Sequence, residues 1–239
     1  MHLKSVRFHP ETYPTRDCYP FNLPIFQQTP SIAFDTPVTL FVGENGTGKS
    51  TLLEALAHRC GIHIWRDTER RRFVNNPFEG RLRDCISVEW ADDRVPGSFF
   101  GSSVFQDFAR ILDEWIAADP GQLKYWGGKS LMTQSHGQST MSYFRSRYQI
   151  EGLYLLDEPE TALSAKTQLE FLHILVEASR AGHAQFIMAT HSPILLACPG
   201  AIIYSFDQAP IRPVRYEATE HYQIYKSFME NRQEYLSTI

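Results

Sequence analysis

Apolar and polar residues alternate at the start of the chain: Leu3, Val6 and Phe8 are interleaved with His2, Lys4 and Arg7. A period of two predicts a strand. Two later apolar runs, 38–42 and 152–156, also read as strands. A third, at 185–190, lacks polar alternation, which fits burial on both faces of a sheet. An amphipathic helix over 166–180 separates the second run from the third, and a short helix near Ile194 precedes a strand over 201–206. The tail predicts a strand over 211–216 and a helix over 219–235. Strands alternating with helices in this way predict an α/β fold with a mostly parallel central sheet flanked by helices, because such crossovers are right-handed. Residues 63–150 interrupt the alternation with Pro, Gly and charge clusters. They read as a small, partly helical lobe with a strand near 97–103 and helices over 104–118 and from Thr140 onward. The expected organisation is one domain, with 1–62 and 151–239 as its core and 63–150 inserted.

The polar residues between the first run and its helix change the picture. Gly43, Glu44, Asn45, Gly46, Thr47, Gly48, Lys49, Ser50 and Thr51 form a glycine-rich loop of the pattern G-x-x-x-x-G-K-[ST]. Glycines let the backbone curl so that successive N–H groups converge on an anion. The following helix adds its positive end. Lys49 supplies a full charge for β/γ-phosphates, and the Ser50 hydroxyl is placed to ligate Mg2+. The 152–156 strand ends in Asp157 and Glu158, followed by Pro159, which stops it. Adjacent side chains point to different sides. Asp157 therefore suits the metal shell, and Glu158 suits the attacking water as general base or orienting group. His191 ends the 185–190 strand, where ligands bind in an open α/β sheet. Ser135, Gly137 and Gln138 open a helix and offer a second phosphate-recognition surface, with simple helix capping as the alternative.

In this order the motifs resemble the ATP-binding-cassette (ABC) ATPases, a branch of the P-loop nucleotide triphosphatases. Ser135-His136-Gly137-Gln138 is similar to the end of that family's L-S-G-G-Q signature, without its first Leu and one Gly. Glu160 to Ser164 is similar to its D-loop, and His191 to its switch histidine. More narrowly, the chain resembles short stand-alone bacterial ATPases related to the SMC and recombination-repair branch. The resemblance implies an antiparallel strand region at the amino terminus, and the 185–190 strand between the phosphate-loop and Asp157 strands. It also implies ATP and Mg2+ as ligands, ATP hydrolysis, and a homodimer with ATP at the interface in which Ser135, Gly137 and Gln138 cap the partner's γ-phosphate. Gln106 is the nearest candidate for the family's Q-loop glutamine, although it falls in a helix. Among Tyr13, Tyr19 and Phe21, Tyr19 is the candidate for stacking on adenine, with core packing as the alternative. No heptads appear, so the long SMC arm is not expected.

The composition sets the remaining expectations. No stretch of about eighteen apolar residues is present, so direct membrane insertion is not expected. No signal-peptide pattern opens the sequence. Cys18, Cys60, Cys85 and Cys198 form no C-x-x-C pair and read as reduced, buried thiols of a cytoplasmic protein. Arg66, Arg70, Arg71, Arg72, Arg81 and Arg83 cluster in the lobe, which leaves a nucleic-acid partner open. The interleaved acids and a net charge of −4 favour a solvated face instead. Three classes of function remain: an ATPase coupled to an unknown protein partner, an ATP-gated regulatory module, and a transporter's energy module. Glu158 favours the ATPase, since a pure binder has no need of it. Nothing resembles the acceptor site of a kinase.

Overall fold

The amino-terminal alternation forms strand β1 (Leu3–Phe8), whose three apolar side chains are buried. The computed structural model describes residues 1–65, 76–119, 121 and 130–237. Helix α1 (Pro24–Gln28) starts on a proline, where a missing N–H is tolerated. Strand β2 (Ser31–Ala33) then pairs antiparallel with β1. Strand β3 (Val38–Val42) is buried at every position and leads through the glycine-rich loop into α2 (Lys49–Arg59). Next come β4 (Ile86–Trp90), β5 (Gly97–Gly101), α3 (Ser102–Ala118) and α4 (His136–Arg147). The second half runs β6 (Gly152–Asp157), α5 (Ala165–Ala181), β7 (Ala184–Ala189), α6 (Pro193–Leu196), β8 (Ile202–Ser205), β9 (Arg212–Val214), α7 (Glu220–Glu230) and α8 (Arg232–Leu236).

Two sheets result. The larger has the order β5-β6-β7-β3-β8-β9, parallel throughout except for the edge strand β9. The smaller is antiparallel, β2-β1-β4. As the resemblance implies, the run near 185–190 forms a strand, β7, between β3 and β6. The period-two rule distributes its neighbours. Leu153 and Leu155 pack on one face with α2 and the small sheet, while Tyr154 and Leu156 pack on the other with α3, α4 and α5. The layers are therefore small sheet, α2, large sheet and a three-helix layer. Gln185, fully buried in β7, joins the two sheets. Its Oε1 accepts the backbone N–H groups of His2 and Leu3 at 2.9 and 2.7 Å, and its Nε2 donates to the Leu3 carbonyl at 2.9 Å.

Three details differ from the sequence reading. The stretch 63–150 is more than a helical lobe, since β4 completes the small sheet and β5 forms the edge of the large one. The strand expected near 97–103 is present as Gly97–Gly101, and its pairing with β6 makes it part of the large sheet rather than of a separate lobe. The expected tail helix is two helices, because Asn231 at φ −126°, ψ 37° leaves the helical region between them. Cys60, Cys85 and Cys198 are buried free thiols, but Cys18 is exposed.

Candidate functional site

Strand register brings the site together. Ala189 of β7 lies beside Phe41 of β3 on one side and Asp157 of β6 on the other. The polar residues that follow each strand therefore emerge at one level, at the carboxyl edge of the sheet. That edge is where open α/β sheets bind ligands.

The loop after β3 wraps the start of α2. Gly48 caps the helix at φ +98°, and a Cβ there would come within 2.9 Å of the Phe26 ring, so only glycine fits. Lys49 is 4% exposed, and its Nζ donates to the carbonyls of Gly43 at 2.5 Å and Glu44 at 2.8 Å. These bonds hold the curled loop. Burial lowers the Lys49 pKa, against the opposing pull of Glu158, Asp207, Asp157 and Glu44. Asp207 accepts the Glu44 N–H at 2.8 Å, and the Thr47 hydroxyl donates to the Glu44 carbonyl at 2.8 Å. Glu44, Asn45 and Gly46 form the exposed rim.

Ser50 Oγ donates to Asp157 Oδ1 at 2.9 Å. Burial pushes the Asp157 carboxyl up to about 7, opposed by the Ser50 bond and reinforced by Glu158 and Glu54. A half-buried carboxylate beside a hydroxyl is a fitting donor pair for a divalent cation. Among the described residues no group of three or more His, Cys, Asp or Glu side chains could hold a metal ion. Mg2+ usually takes only one or two protein oxygens and completes its shell with phosphate and water.

Glu158 is the one non-glycine residue with positive φ among the described residues, at φ 48°, ψ 55°. This left-handed turn separates it from Asp157 and directs its Oε1 to within 3.5 Å of His191 Nε2. The His191 backbone N–H donates to Glu160 Oε1 at 2.6 Å, and its Nδ1 lies 2.9 Å from His221 Nε2. Burial lowers the His191 pKa, with Lys49 and His221 adding to the effect, so the neutral ring is favoured. Burial raises the Glu160 pKa. Sequence reasoning missed the parts played by Asp207, Glu160 and His221. Glu160 stands beside a recognisable motif, but nothing in the sequence signals that His221 returns to the site.

Ser135, Gly137 and Gln138 lie elsewhere. Ser135 and Gln138 form a reciprocal capping box at the start of α4: the Gln138 N–H donates to Ser135 Oγ at 3.4 Å, and the Ser135 N–H to Gln138 Oε1 at 3.2 Å. A Cβ on Gly137 would sit 2.8 Å from the Ala162 carbonyl, so α4 packs closely on the turn after Glu158. These residues line an open groove of about 620 Å³ together with Gln134, Ala162 and Ser164, and its lining includes none of residues 43–51. Gln106 is within α3 and bonds the His136 ring. Phe21 is buried, and Tyr13 donates to the Phe26 carbonyl at 2.9 Å. Tyr19 is 39% exposed and its hydroxyl bonds Thr51 Oγ1, beside the loop. Of the arginine cluster, Arg66, Arg70, Arg71 and Arg72 lie outside the described residues, whereas Arg81 and Arg83 both face Asp84, at 3.6 and 3.8 Å.

Comparison with known proteins places these motifs. Residues 21–94 match the family model "AAA domain", and residues 140–197 match "AAA domain, putative AbiEii toxin, Type IV TA system". The first span holds the phosphate loop, and the second holds Asp157, Glu158 and His191. The "Probable siderophore transport system ATP-binding protein YusV" of Bacillus subtilis (strain 168) is 26% identical over 178 residues, covering 67% of this chain and 63% of that protein. The chain thus spans less than two thirds of that relative's length. Among solved structures, "An inward-facing conformation of a putative metal-chelate type ABC transporter" is similar at a TM-score of 0.54 and 17% identity, covering 94% of this chain and 88% of that one. A second, cbiO1 from Clostridium perfringens, part of the ABC transporter complex cbiONQ, is similar at a TM-score of 0.50 and 19% identity over 98% of both chains. The structures share the fold, the sequence models cover both halves of the strand-end site, and in both respects the chain resembles the ABC-type P-loop ATPases.

Proposed function

We propose that this chain binds Mg·ATP, hydrolyses it to ADP and phosphate, and pairs with a second copy while ATP is bound. The observation that carries the reading is the gathering of Lys49, the Ser50–Asp157 pair, Glu158 and His191 at the ends of three adjacent parallel strands. The loop N–H groups and Lys49 hold the β- and γ-phosphates. Ser50 and Asp157 would hold Mg2+, which supplies charge neutralisation at the phosphates when bound. Glu158 orients a water and takes its proton as the water oxygen bonds to the γ-phosphorus and the bond to the ADP oxygen breaks. His191 donates from Nε2 to the γ-phosphate. Tyr19, beside Thr51, is placed to meet the adenine.

Pairing is supported by the position of Ser135, Gly137 and Gln138. They line a groove that includes no phosphate-loop residue, so their reach to a nucleotide is across a two-fold interface. Phosphate release by the wild type and by Glu158→Gln tests the reading. The wild type should turn over, and the variant should bind ATP equally but hydrolyse at least about a hundredfold more slowly. Equal single-turnover rates would remove Glu158 from the chemistry.

The relative named for siderophore transport favours a second reading, the energy module of a transporter. Turnover that appears only with a membrane partner would select it. A regulatory module would instead signal while bound to ATP, with turnover serving as reset. Either way the chain acts through a protein partner. Among the described residues no helix is long and apolar enough to cross a membrane. The free thiols support a reducing, cytoplasmic setting, and the pairing of Arg81 and Arg83 with Asp84 argues against nucleic acid as the partner.

A further inference from the structure

His191 is held from a direction that its own strand does not supply. Its Nδ1 lies 2.9 Å from Nε2 of His221, thirty residues later in the first turn of α7. Two further contacts fix that turn. Thr219 caps α7, accepting the Tyr222 N–H at 3.3 Å and donating to the Tyr216 carbonyl at 2.7 Å. The Tyr216 hydroxyl donates to the Pro193 carbonyl at 3.0 Å, two residues after His191. The start of α7 is thus tied to the exit of β7 at two points, and the rings have little freedom to separate.

We propose that His221 is a positioning residue for hydrolysis: its Nε2–H donates to His191 Nδ1 and holds the His191 ring with Nε2–H aimed at Glu158 and the nucleotide pocket. This deepens the ATPase reading and, for its catalytic consequence, rests on it. Only one hydrogen sits between the two rings, so there are two arrangements. If His191 kept it on Nδ1, the lone pair of His191 Nε2 would face the Glu158 carboxylate oxygen at 3.5 Å. Neither His191 Nε2 nor the buried His221 Nδ1 has a hydrogen-bond partner among the described residues, so each arrangement leaves one of them as an N–H and the other as a bare acceptor. If His221 supplies the hydrogen, His191 Nε2–H points at the carboxylate and His221 Nδ1 is left as a bare acceptor. A lone pair facing a carboxylate oxygen is repulsive, whereas an N–H facing it is attractive. The Glu158 carboxylate therefore selects the second arrangement. It presents the γ-phosphate with a donor whose direction is set before the nucleotide arrives, as a hydrogen bond to the far ring nitrogen orients a metal-binding histidine.

Two measurements test this. Nitrogen-15 NMR of the histidine rings in the nucleotide-free wild type should show His191 protonated on Nε2, with coupling across the hydrogen bond from His221 Nε2 to His191 Nδ1. Single-turnover hydrolysis should then fall about 10–100-fold in His221→Phe, with ATP affinity within about twofold of wild type. His221→Gln, whose amide keeps a donor near the same place, should recover most of the rate. A His191 ring protonated on Nδ1 would overturn the proposal. So would an unimpaired Phe variant, or a Gln variant that loses rate and affinity together with Phe. The NMR result does not depend on hydrolysis, so a chain that never turned over ATP would overturn the ATPase reading and leave the His221–His191 assignment to be judged on its own.

Discussion

At the residue scale, Glu158 and Asp157 each hold a position that is costly to the fold, and one substitution at each exposes the cost. Glu158 sits in the left-handed region at φ 48°, which costs an L-residue with a Cβ about 1–2 kcal/mol. Glycine removes most of that cost but gives back part of it as entropy in the unfolded chain. Glu158→Gly should therefore be about 0.5–1 kcal/mol more stable by denaturant midpoint, with no turnover. A lower midpoint would show that the Glu158–His191 contact outweighs the strain. Asp157 works in the same direction. Its pKa rises from 3.8 to about 7, so the folded state favours the protonated form. The sign follows from linkage: that preference is fully present below about pH 4 and is lost as pH rises through 7. In metal-free protein, Asp157→Asn should be stabilising by about 1–2 kcal/mol at pH 8, after allowance for partial exposure, and nearly neutral at pH 4. The same variant should bind Mg·ATP less well. A stabilisation independent of pH would locate the effect in packing rather than in charge.

At the element scale, one buried amide decides how the sheets meet. Gln185 satisfies two backbone donors and one acceptor of the β1 segment from within β7. Gln185→Leu keeps the volume but strands those groups, and buried unsatisfied groups cost about 1–3 kcal/mol each. A net loss of about 3–5 kcal/mol is expected, seen as a lower denaturant midpoint with early exchange of the His2 and Leu3 amides. A loss under about 1 kcal/mol would mean that water reaches those groups. The element boundaries show where sequence reading stops. Strands β3, β6 and β7 were legible as apolar runs that end in candidate site residues, and helix α5 by its amphipathic period. The strand β5 was legible, but its place at the edge of the large sheet is set by pairing with β6, and the break at Asn231 depends on the helix ends rather than on a Gly or Pro.

At the scale of the whole molecule, the phosphate loop and the Ser135 groove are separate surfaces of one chain. If each completes the other's site, sedimentation of Glu158→Gln should show a dimer with Mg·ATP and a monomer with ADP or without nucleotide. A monomer in all three conditions would refute the pairing. Mixing Ser135→Arg with Lys49→Ala, each inactive alone, should recover at most one working site per dimer, because one composite site then has both halves intact. The fold class, the glycine-rich loop, the two carboxylates and His191 are legible in the chain, since these follow from strand–loop–helix spacing and from polar residues ending apolar strands. The bracing of Glu44 by Asp207, the anchoring of His191 by Glu160 and the return of His221 on α7 arise from packing alone. Periodicity reports which face of an element is buried. It carries no record of which distant element packs there, because that choice is made by the register of the whole sheet and the docking of the helices upon it.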